Sequence, residues 1–247
     1  MKRFSLVGMV RKSSVETLLD MHNLSITKSN YLIEARYKLP VQAQKLILAC
    51  LGKIDPRHEI PKEITMTGSE FSELMGIDIK NSHRELYKAA DKLYQSDILI
   101  YENGEEIELS WVQEKAKKLK GEAAVRLVWS DRVLRYISQI RGNFTSYKLR
   151  NIAELQSSHS IRIYELLMRF ADTGDREIFL DDFKSILGIS NKYPEFKVLN
   201  RDVIKLAVKE LNQRSNLVIN CTPIKRGRTV EKLRFDFKQN NQLKMDI

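Results

Sequence analysis

Two stretches of seven residues repeat the same arrangement of apolar residues around a glycine. Residues 71–77 read FSELMGI and residues 183–189 read FKSILGI. The agreement continues downstream in the same order, with one inserted residue, where SDILI at 96–100 matches SNLVI at 215–219. An internal repeat of this extent predicts two similar domains in tandem, and the chain, at 247 residues, is long enough for both.

The second copy, residues 183–237, has the pattern of a helix, a turn, a longer helix and a β-hairpin. Gly188 stands where a glycine commonly ends a helix, and Asn191 and Pro194 mark the turn. Apolar residues at steps of three and four predict one buried stripe on the longer helix. This stripe is formed by Phe196, Leu199, Val203, Leu206, Ala207 and Leu211. Together these elements predict a winged helix, a unit that binds duplex DNA.

The other side of the longer helix is basic, as are the preceding turn and the hairpin tip. Residues 191–234 carry eleven Lys/Arg against four Asp/Glu. A basic helix face is often only a solvated surface, but a basic hairpin tip beside it favours DNA. The candidate DNA-binding residues are Lys192, Lys197, Asn200, Arg201, Lys205, Lys209, Lys225, Arg226 and Arg228.

Four of these residues lie near the start of the longer helix and are candidates for reading base edges in the major groove. They are Lys197, Asn200, Arg201 and Lys205. Arg201 has the geometry to bind a guanine with two hydrogen bonds, and Asn200 to bind an adenine. The basic residues of the hairpin tip are expected to contact the DNA backbone or the minor groove.

The first copy differs in charge. Its longer helix, predicted at 82–95, carries acidic as well as basic side chains, and its hairpin turn, Asn103-Gly104, is flanked by glutamates. An acidic tip is repelled by phosphate, so this wing is not expected to lie on DNA. Weaker candidate DNA contacts in this copy are Lys80, Ser82, Arg84 and Lys88. Trp111 and Trp129 are expected in the core, with a protein–protein surface as the alternative.

The pattern divides the chain into an N-terminal arm at 1–28, a first winged helix at 29–144 and a second at 145–247. Residues 30–39 alternate between apolar and polar and are expected to be extended, with a helix from Pro40 to Lys53. A lysine-rich loop is expected at 115–120, and Arg162 and Glu165 are expected to pair on a helix surface.

Composition narrows the class of protein. The formal net charge of +10 favours a polyanionic partner. The longest apolar run, residues 46–51, is far shorter than the roughly 20 residues that a membrane-spanning helix needs. The two cysteines lie in apolar contexts and fit core thiols in a reducing compartment. A cytoplasmic protein without a membrane association is expected.

Four stretches resemble the iteron-binding plasmid replication initiators of the F-plasmid type. They are KSNYLIEARYKL from Lys28, FTSYKL from Phe144, the stretch from Ser157 to Leu167 that contains SIRIYELL, and the longer helix 196–212 with its wing. The pair formed by the second and third stretches, in that order, is the most specific part. The resemblance covers about residues 28–238, nearly the whole chain.

The resemblance implies an α+β fold of two tandem winged-helix domains. It implies that the monomer binds iteron repeats at a plasmid origin, promotes melting of adjacent A·T-rich DNA and recruits the host replicative helicase. A homodimer in equilibrium with the monomer is implied to bind an inverted repeat and repress the protein's own gene. The second domain would read most bases, and the first would form the dimer interface. The host replication initiator and chaperones are further implied partners.

The sequence also bears on two other classes of function. A nuclease or ATPase is disfavoured because the chain has no His-x-His pair and no Gly-x₄-Gly-Lys-Ser/Thr loop, and no catalysis, metal or cofactor is expected. A winged-helix transcriptional regulator without a role in replication fits the repeat and the charges equally well. Only the resemblance favours replication over regulation.

Overall fold

The computed structural model describes residues 24–55, 58, 60–137 and 142–240, and the two halves of this range are similarly built. The first half contains β1 (Ser25–Ser29), α1 (Asn30–Glu34), α2 (Val41–Gly52), β2 (Glu63–Thr67), α3 (Gly68–Met75), α4 (Ile79–Tyr94), β3 (Asp97–Glu102), β4 (Glu105–Ser110), β5 (Val112–Lys117), β6 (Ala124–Trp129) and α5 (Asp131–Ile137).

The second half begins with a strand that pairs with β1 of the first half. Its elements are β7 (Phe144–Lys148), a 3-10 turn (Leu149–Asn151), α6 (Ser158–Met168), β8 (Asp175–Phe179), α7 (Leu180–Ile186), α8, β9 (Leu217–Arg226) and β10 (Thr229–Gln239). The helix α8 runs from Phe196–Leu199 through a π-helical turn at Asn200–Ile204 into Lys205–Arg214.

In the first half, α3 and α4 form a helix-turn-helix and β3 and β4 form the wing. Thr67 and Glu70 make a reciprocal capping box that begins α3, with hydrogen bonds of 2.8 and 3.1 Å. Asn103 and Gly104 both have positive φ, as the tight turn of the hairpin requires. Beyond the wing, β5 and β6 join β2 in an antiparallel sheet of order β2-β6-β5.

In the second half, α7 and α8 form the helix-turn-helix, and β9 and β10 form a longer wing in a sheet of order β8-β10-β9. Gly188, with φ of 66°, follows α7. A Cβ at this position would lie 2.9 Å from the Cβ of Lys38 and 3.2 Å from the carbonyl oxygen of Tyr37. Both the backbone conformation and this close approach require glycine. The turn of the second unit is therefore packed directly on the first unit.

The two units confirm the repeat in the sequence. Phe71 and Phe183 occupy the same place and are both fully buried, and Gly76 and Gly188 both have positive φ. The later matched pairs are also buried in both units: Ala89 and Ala207, Leu93 and Leu211, Ile98 and Leu217, Ile100 and Ile219. The fold is α+β with two tandem winged helices, as predicted.

The junction between the units contains a strand pair and buried charges. β1 pairs antiparallel with β7, and Lys28 of β1 forms a 2.5 Å ion pair with Glu165 of α6. Arg162 binds the same carboxylate at 2.8 Å, and both side chains are almost fully buried. The expectation that Arg162 and Glu165 pair on the surface was wrong, because the first unit covers this face of α6.

Local elements differ from expectation at several points. Residues 30–39 begin with helix α1, since the Ser29 hydroxyl accepts a hydrogen bond from the N–H of Leu32, and extended structure follows only after it. The helix α4 begins at Ile79, three residues before the predicted start, because Asp78 caps it. Part of the expected loop at 115–120 lies in β5, which ends at Lys117.

Both tryptophans belong to the core. Trp111 and Trp129 are fully buried, and the ring of Trp111 meets that of Tyr37 edge-on at 5.1 Å between centroids. They are therefore not part of an exposed protein–protein surface.

The expected N-terminal arm, 1–28, falls mostly outside the described residues, but Ser25 to Lys28 lie in β1. The expected boundary between residues 144 and 145 falls inside β7, which pairs with β1. The helix α5 is described as far as Ile137, and residues 138–141 lie outside the described range. The domain boundaries as drawn from the sequence stay a prediction.

Candidate nucleic-acid interface

One side of α8 carries exposed basic side chains. Lys197, Arg201, Lys205 and Lys209 are all exposed, and none of the three lysines forms an ion pair with a described residue. Asn200 is half-buried. The helix therefore presents four accessible cations, with charges available to a polyanion.

The π-helical turn changes the direction of the side chains that follow it. The N–H of Lys205 bonds to the carbonyl of Asn200, five residues back. A π turn holds more residues than an α turn, so it shifts the phase of the helix. As a result Leu206, predicted from the spacing to lie in the core, is 60% exposed. That prediction was wrong, and an apolar side chain stands among the lysines of this surface.

Arg201 is held in place by its neighbour while it remains open to solvent. Its guanidinium donates two hydrogen bonds, of 2.5 and 2.9 Å, to the carboxylate of Asp202, and its side chain is 72% exposed. The hydrogen bond and charge of Asp202 raise the pKa of Arg201. The pair orients a planar group with donors left for an external acceptor.

The wing of the second unit projects beyond its sheet. β8 pairs with β10 only over Lys232–Asp236, so residues 225–231 extend past the third strand. Lys225, Arg226 and Arg228 are exposed at this tip, and Gly227 with φ of 63° makes the turn. Lys192 is exposed in the turn before α8. The cations predicted for the second unit therefore all lie on accessible surface.

The corresponding helix of the first unit is less available to an anion. Arg84 bonds to Asn81 and Glu85, and Lys88 lies 3.9 Å from the same glutamate. Lys80 is exposed. Ser82 is only 3% exposed, and its hydroxyl donates to the carbonyl of Ile79 at 2.9 Å. Its burial removes Ser82 from the candidate surface.

The wing of the first unit carries exposed acid. Glu105 and Glu106 are exposed at its turn, and the Tyr101 hydroxyl donates to the carboxylate of Glu106. Glu102 is partly enclosed and accepts a 2.7 Å hydrogen bond from the Tyr136 hydroxyl. The two wings thus have opposite charge, as their sequences indicate.

Sequence reasoning missed three residues near the second unit. Leu206 was placed in the core, and Lys38 and His159 were given no role. Lys38 and His159 line a cleft with Lys192 at the junction of the two units. The sequence marks Lys38 only as a basic residue within the ARYKL stretch, residues 35–39. Nothing in the sequence predicts that Lys38 lies beside the second unit.

Metal-binding clusters and membrane-spanning helices are also absent from the residues that the structure describes. Within the described part of the chain, no three His, Cys, Asp or Glu side chains are grouped so as to hold a metal ion. The described helices include none that is long and apolar enough to cross a bilayer.

Comparison with known families matches both units. The family described as Initiator Replication protein, WH1, matches residues 25–168, and that described as Initiator Rep protein, WH2, matches residues 180–237. The chain belongs to the initiator replication protein family. The first match extends through α6 of this initiator, past residue 144.

Individual relatives agree with this assignment. A replication initiation protein of Escherichia coli is 31% identical over 249 residues, which cover 92% of this initiator and 77% of the relative. The PI protein of Escherichia coli is 21% identical, covering 90% of this chain and 86% of the relative. A crystal structure of Pi initiator protein in complex with iteron DNA aligns with a TM-score of 0.76 at 21% identity, over 89% of this chain and 99% of that one. The last likeness establishes the shared fold.

Proposed function

We propose that this chain is a plasmid replication initiator that binds iteron repeats through both winged helices. The observation that carries the proposal is the second unit, where an accessible basic helix and a projecting basic wing lie on one domain. Its fold likeness to an initiator crystallised with iteron DNA supports the same reading. Two helices in tandem fit successive major grooves about 34–36 Å apart, so one monomer covers about two turns of DNA.

In this proposal α8 enters the major groove and reads bases. Arg201, oriented by Asp202, binds a guanine edge, while Lys197 and Lys205 contact bases or flanking phosphates. Asn200 is half-buried, so its proposed contact with an adenine requires the groove to approach the start of the π turn. Lys209 and the wing residues bind phosphate.

The first unit adds a smaller contribution. Lys80, Arg84 and Lys88 contact the backbone, while the acidic wing stays off the DNA. Origin melting, helicase recruitment, contacts with the host initiator and chaperones, and autorepression by a dimer complete the proposed cycle. These steps rest on the family resemblance. The domain limits 29–144 and 145–247, and a cytoplasmic location, belong to the same proposal.

Footprinting on the DNA that flanks the gene, at two salt concentrations, tests the function. Protection of several direct repeats, each about two turns long, is the expected result. Protection of a single inverted repeat supports instead a winged-helix regulator. No sequence-specific protection at either salt contradicts both readings.

Two matched triple variants assign the footprint to the units. Replacing Arg201, Lys205 and Lys209 by alanine should abolish specific protection, because these cations lie on α8. Replacing Lys80, Arg84 and Lys88 should weaken binding and shorten the footprint while leaving its sequence preference intact. Equal effects of both variants on specificity would contradict the division of labour between the units.

A further inference from the structure

A basic cleft lies where the two winged helices meet. It has a volume of about 380 Å³ and is lined from both units. Lys38 comes from the segment between α1 and α2, Lys192 from the turn before α8, and His159 from the first turn of α6. Lys92 of α4 lies on its wall. Within the described residues, no aspartate or glutamate lines it.

The fold holds the backbone at both Lys38 and Lys192, which line this cleft. Two residues before Lys38, Arg36 pairs with Leu99 through backbone hydrogen bonds of 2.8 and 2.9 Å. The Cβ of Lys38 lies against Gly188, in the turn that follows α7. Four residues further on in this turn, the N–H of Lys192 is held by a backbone hydrogen bond. That bond runs from Lys192 to the carbonyl of Ile189 at 2.9 Å. Both backbones are therefore anchored before any ligand arrives.

The side chains in the cleft repel one another. Lys192 lies close enough to Lys38 to lower the pKa of the Lys38 ammonium group. Burial, followed by the charges of Lys192 and Lys38, lowers the pKa of His159. Elsewhere the protein relieves such crowding: Lys115 and Lys117 share the carboxylate of Asp91. Among the described residues, Lys38 and Lys192 have no carboxylate partner.

Two lysines that line one cleft, with no acidic side chain among the described residues around it, suit a compact anion between them. Lysine is a point-charge donor that commonly binds phosphate. Such an anion turns the repulsion into two charge-assisted hydrogen bonds. The cleft adjoins the turn that leads into α8, the helix assigned to the major groove, so a DNA backbone is the nearest source of phosphate.

We propose that Lys38 and Lys192 bind one DNA backbone phosphate between them, so that a single phosphate bridges the two winged helices. This inference rests on the proposed function. It adds a site to which each unit contributes one lysine, and it makes the junction itself part of the DNA-binding surface. A phosphate held there couples the placement of the two helices in their grooves.

The test scans the backbone of one bound repeat with single methylphosphonates, each of which removes one phosphate charge. Wild-type protein is compared with a variant carrying Lys38→Gln and Lys192→Gln, which keeps the stems that pack at the junction. Lys118→Gln combined with Lys120→Gln, on two exposed lysines of the first unit, is the charge-matched control. Wild type should lose about ten-fold in affinity at one position near the middle of the footprint.

In the double variant that loss should vanish, while the losses at other positions persist. The dependence of log affinity on log salt should also fall by about one, as for one lost phosphate contact. A scan identical in the variant and the wild type overturns the proposal. Specific binding by the wild type tests the proposed function separately, since it does not depend on the comparison between the two proteins.

The cleft could instead take free inorganic phosphate, and the melting temperature of the protein distinguishes this anion from a DNA phosphate. If phosphate raises the melting temperature of the wild type but not of the double variant, at matched ionic strength in chloride, and the methylphosphonate scan is unchanged, the cleft binds free phosphate. That result overturns the assignment to DNA.

Discussion

Arg162 and Glu165 lie three residues apart on α6 and form a 2.8 Å ion pair that the first unit buries. Lys28 approaches the same carboxylate at 2.5 Å, and Tyr147 donates a 2.6 Å hydrogen bond to it. The Arg162 guanidinium donates to the Tyr37 hydroxyl and also binds backbone carbonyls of the first unit. This cluster joins β1, β7 and α6 through charged groups whose partners lie in different elements.

Replacing Glu165 by Gln should lower the free energy of unfolding by about 3–5 kcal/mol, because two buried cations then lose their countercharge. Urea denaturation measures the difference. Glu177→Gln is the matched control: its ion pairs with Lys232 and Arg234 are exposed at 3.4–3.7 Å, so its effect should stay below about 1 kcal/mol. Similar losses of unfolding free energy in the two variants would contradict the prediction that the buried cluster stabilises the fold more than the exposed ion pairs do.

The same cluster sets a pH dependence. Burial raises the pKa of Glu165, but the charges of Lys28 and Arg162 and the hydrogen bonds outweigh it and lower the pKa overall. A carboxyl with a lowered folded pKa stabilises the protein above its unfolded value, about 4.3, and the stabilisation is lost as pH falls through the folded pKa. Acid should therefore destabilise the wild type more steeply than Glu165→Gln.

Much of the architecture follows from the sequence because local signals agree with the tertiary packing. The glycine after α7, the Asn-Gly turn of the first wing and the matched buried positions all predicted their places in the two units. These signals depend on backbone conformation and on a periodic apolar face, which a single sequence displays.

What the sequence does not display is contact between distant segments. β1 forms a strand because it pairs with β7. Glu165 is buried because the first unit covers it. The prediction that Leu206 is buried was wrong for a different reason. A periodicity of 3.6 residues assumes an unbroken α-helix, and the π turn interrupts it. The division into an exposed cationic α8 and a partly neutralised α4 was visible only as charge counts.

Lys45 is a buried lysine whose replacement should stabilise the protein. It lies on α2, almost fully buried, and its ammonium group donates one 3.3 Å hydrogen bond to the carbonyl of Met75. Burial lowers its pKa to about 8. A charged lysine at pH 7 is therefore less favourable in the folded state than in the unfolded state, and Lys45→Met should gain about 1–3 kcal/mol there.

The pH dependence of stability tests the predicted sign of the Lys45→Met effect. Because the folded pKa lies below the unfolded value of about 10.4, the wild type gains stability as pH rises from about 8 to 10.4. The advantage of Lys45→Met should shrink over this interval in thermal or urea unfolding. Lys88→Met, on an exposed lysine of α4, should show neither the gain nor its pH dependence.

The wing of the second unit should contribute affinity without sequence preference. Replacing Lys225, Arg226 and Arg228 by Gln removes three exposed cations from the projecting tip. The slope of log affinity against log salt should fall by about 0.9 for each phosphate contact that is lost. Fluorescence anisotropy over a salt series measures it. A Glu105→Gln, Glu106→Gln variant of the first wing should leave the slope unchanged if that wing stays off the DNA.

Arg201 should carry preference at one base pair. Arg201→Ala should cost about 1–3 kcal/mol on the natural repeat and relax discrimination at a single position. Affinities for duplexes substituted one base pair at a time measure both effects. Asp202→Asn is the companion variant: it keeps a hydrogen-bond acceptor but removes the charge that orients the guanidinium, so discrimination at that same position should weaken less. Equal loss of affinity on every sequence assigns Arg201 to phosphate.

Leu206 should contact the methyl group of a thymine. It is an exposed apolar residue that the π turn directs away from the core, on the helix whose lysines are proposed to contact DNA. Replacing one thymine at a time by deoxyuracil removes a single methyl group and leaves the hydrogen-bonding edge intact. At one position this change should cost the wild type about 0.8 kcal/mol. Leu206→Ala should abolish that cost without lowering stability, since 60% of the side chain is already exposed. Val218→Ala, on β9, should leave the deoxyuracil pattern unchanged, and a Leu206→Ala protein that keeps the full pattern would show that the side chain does not face a thymine.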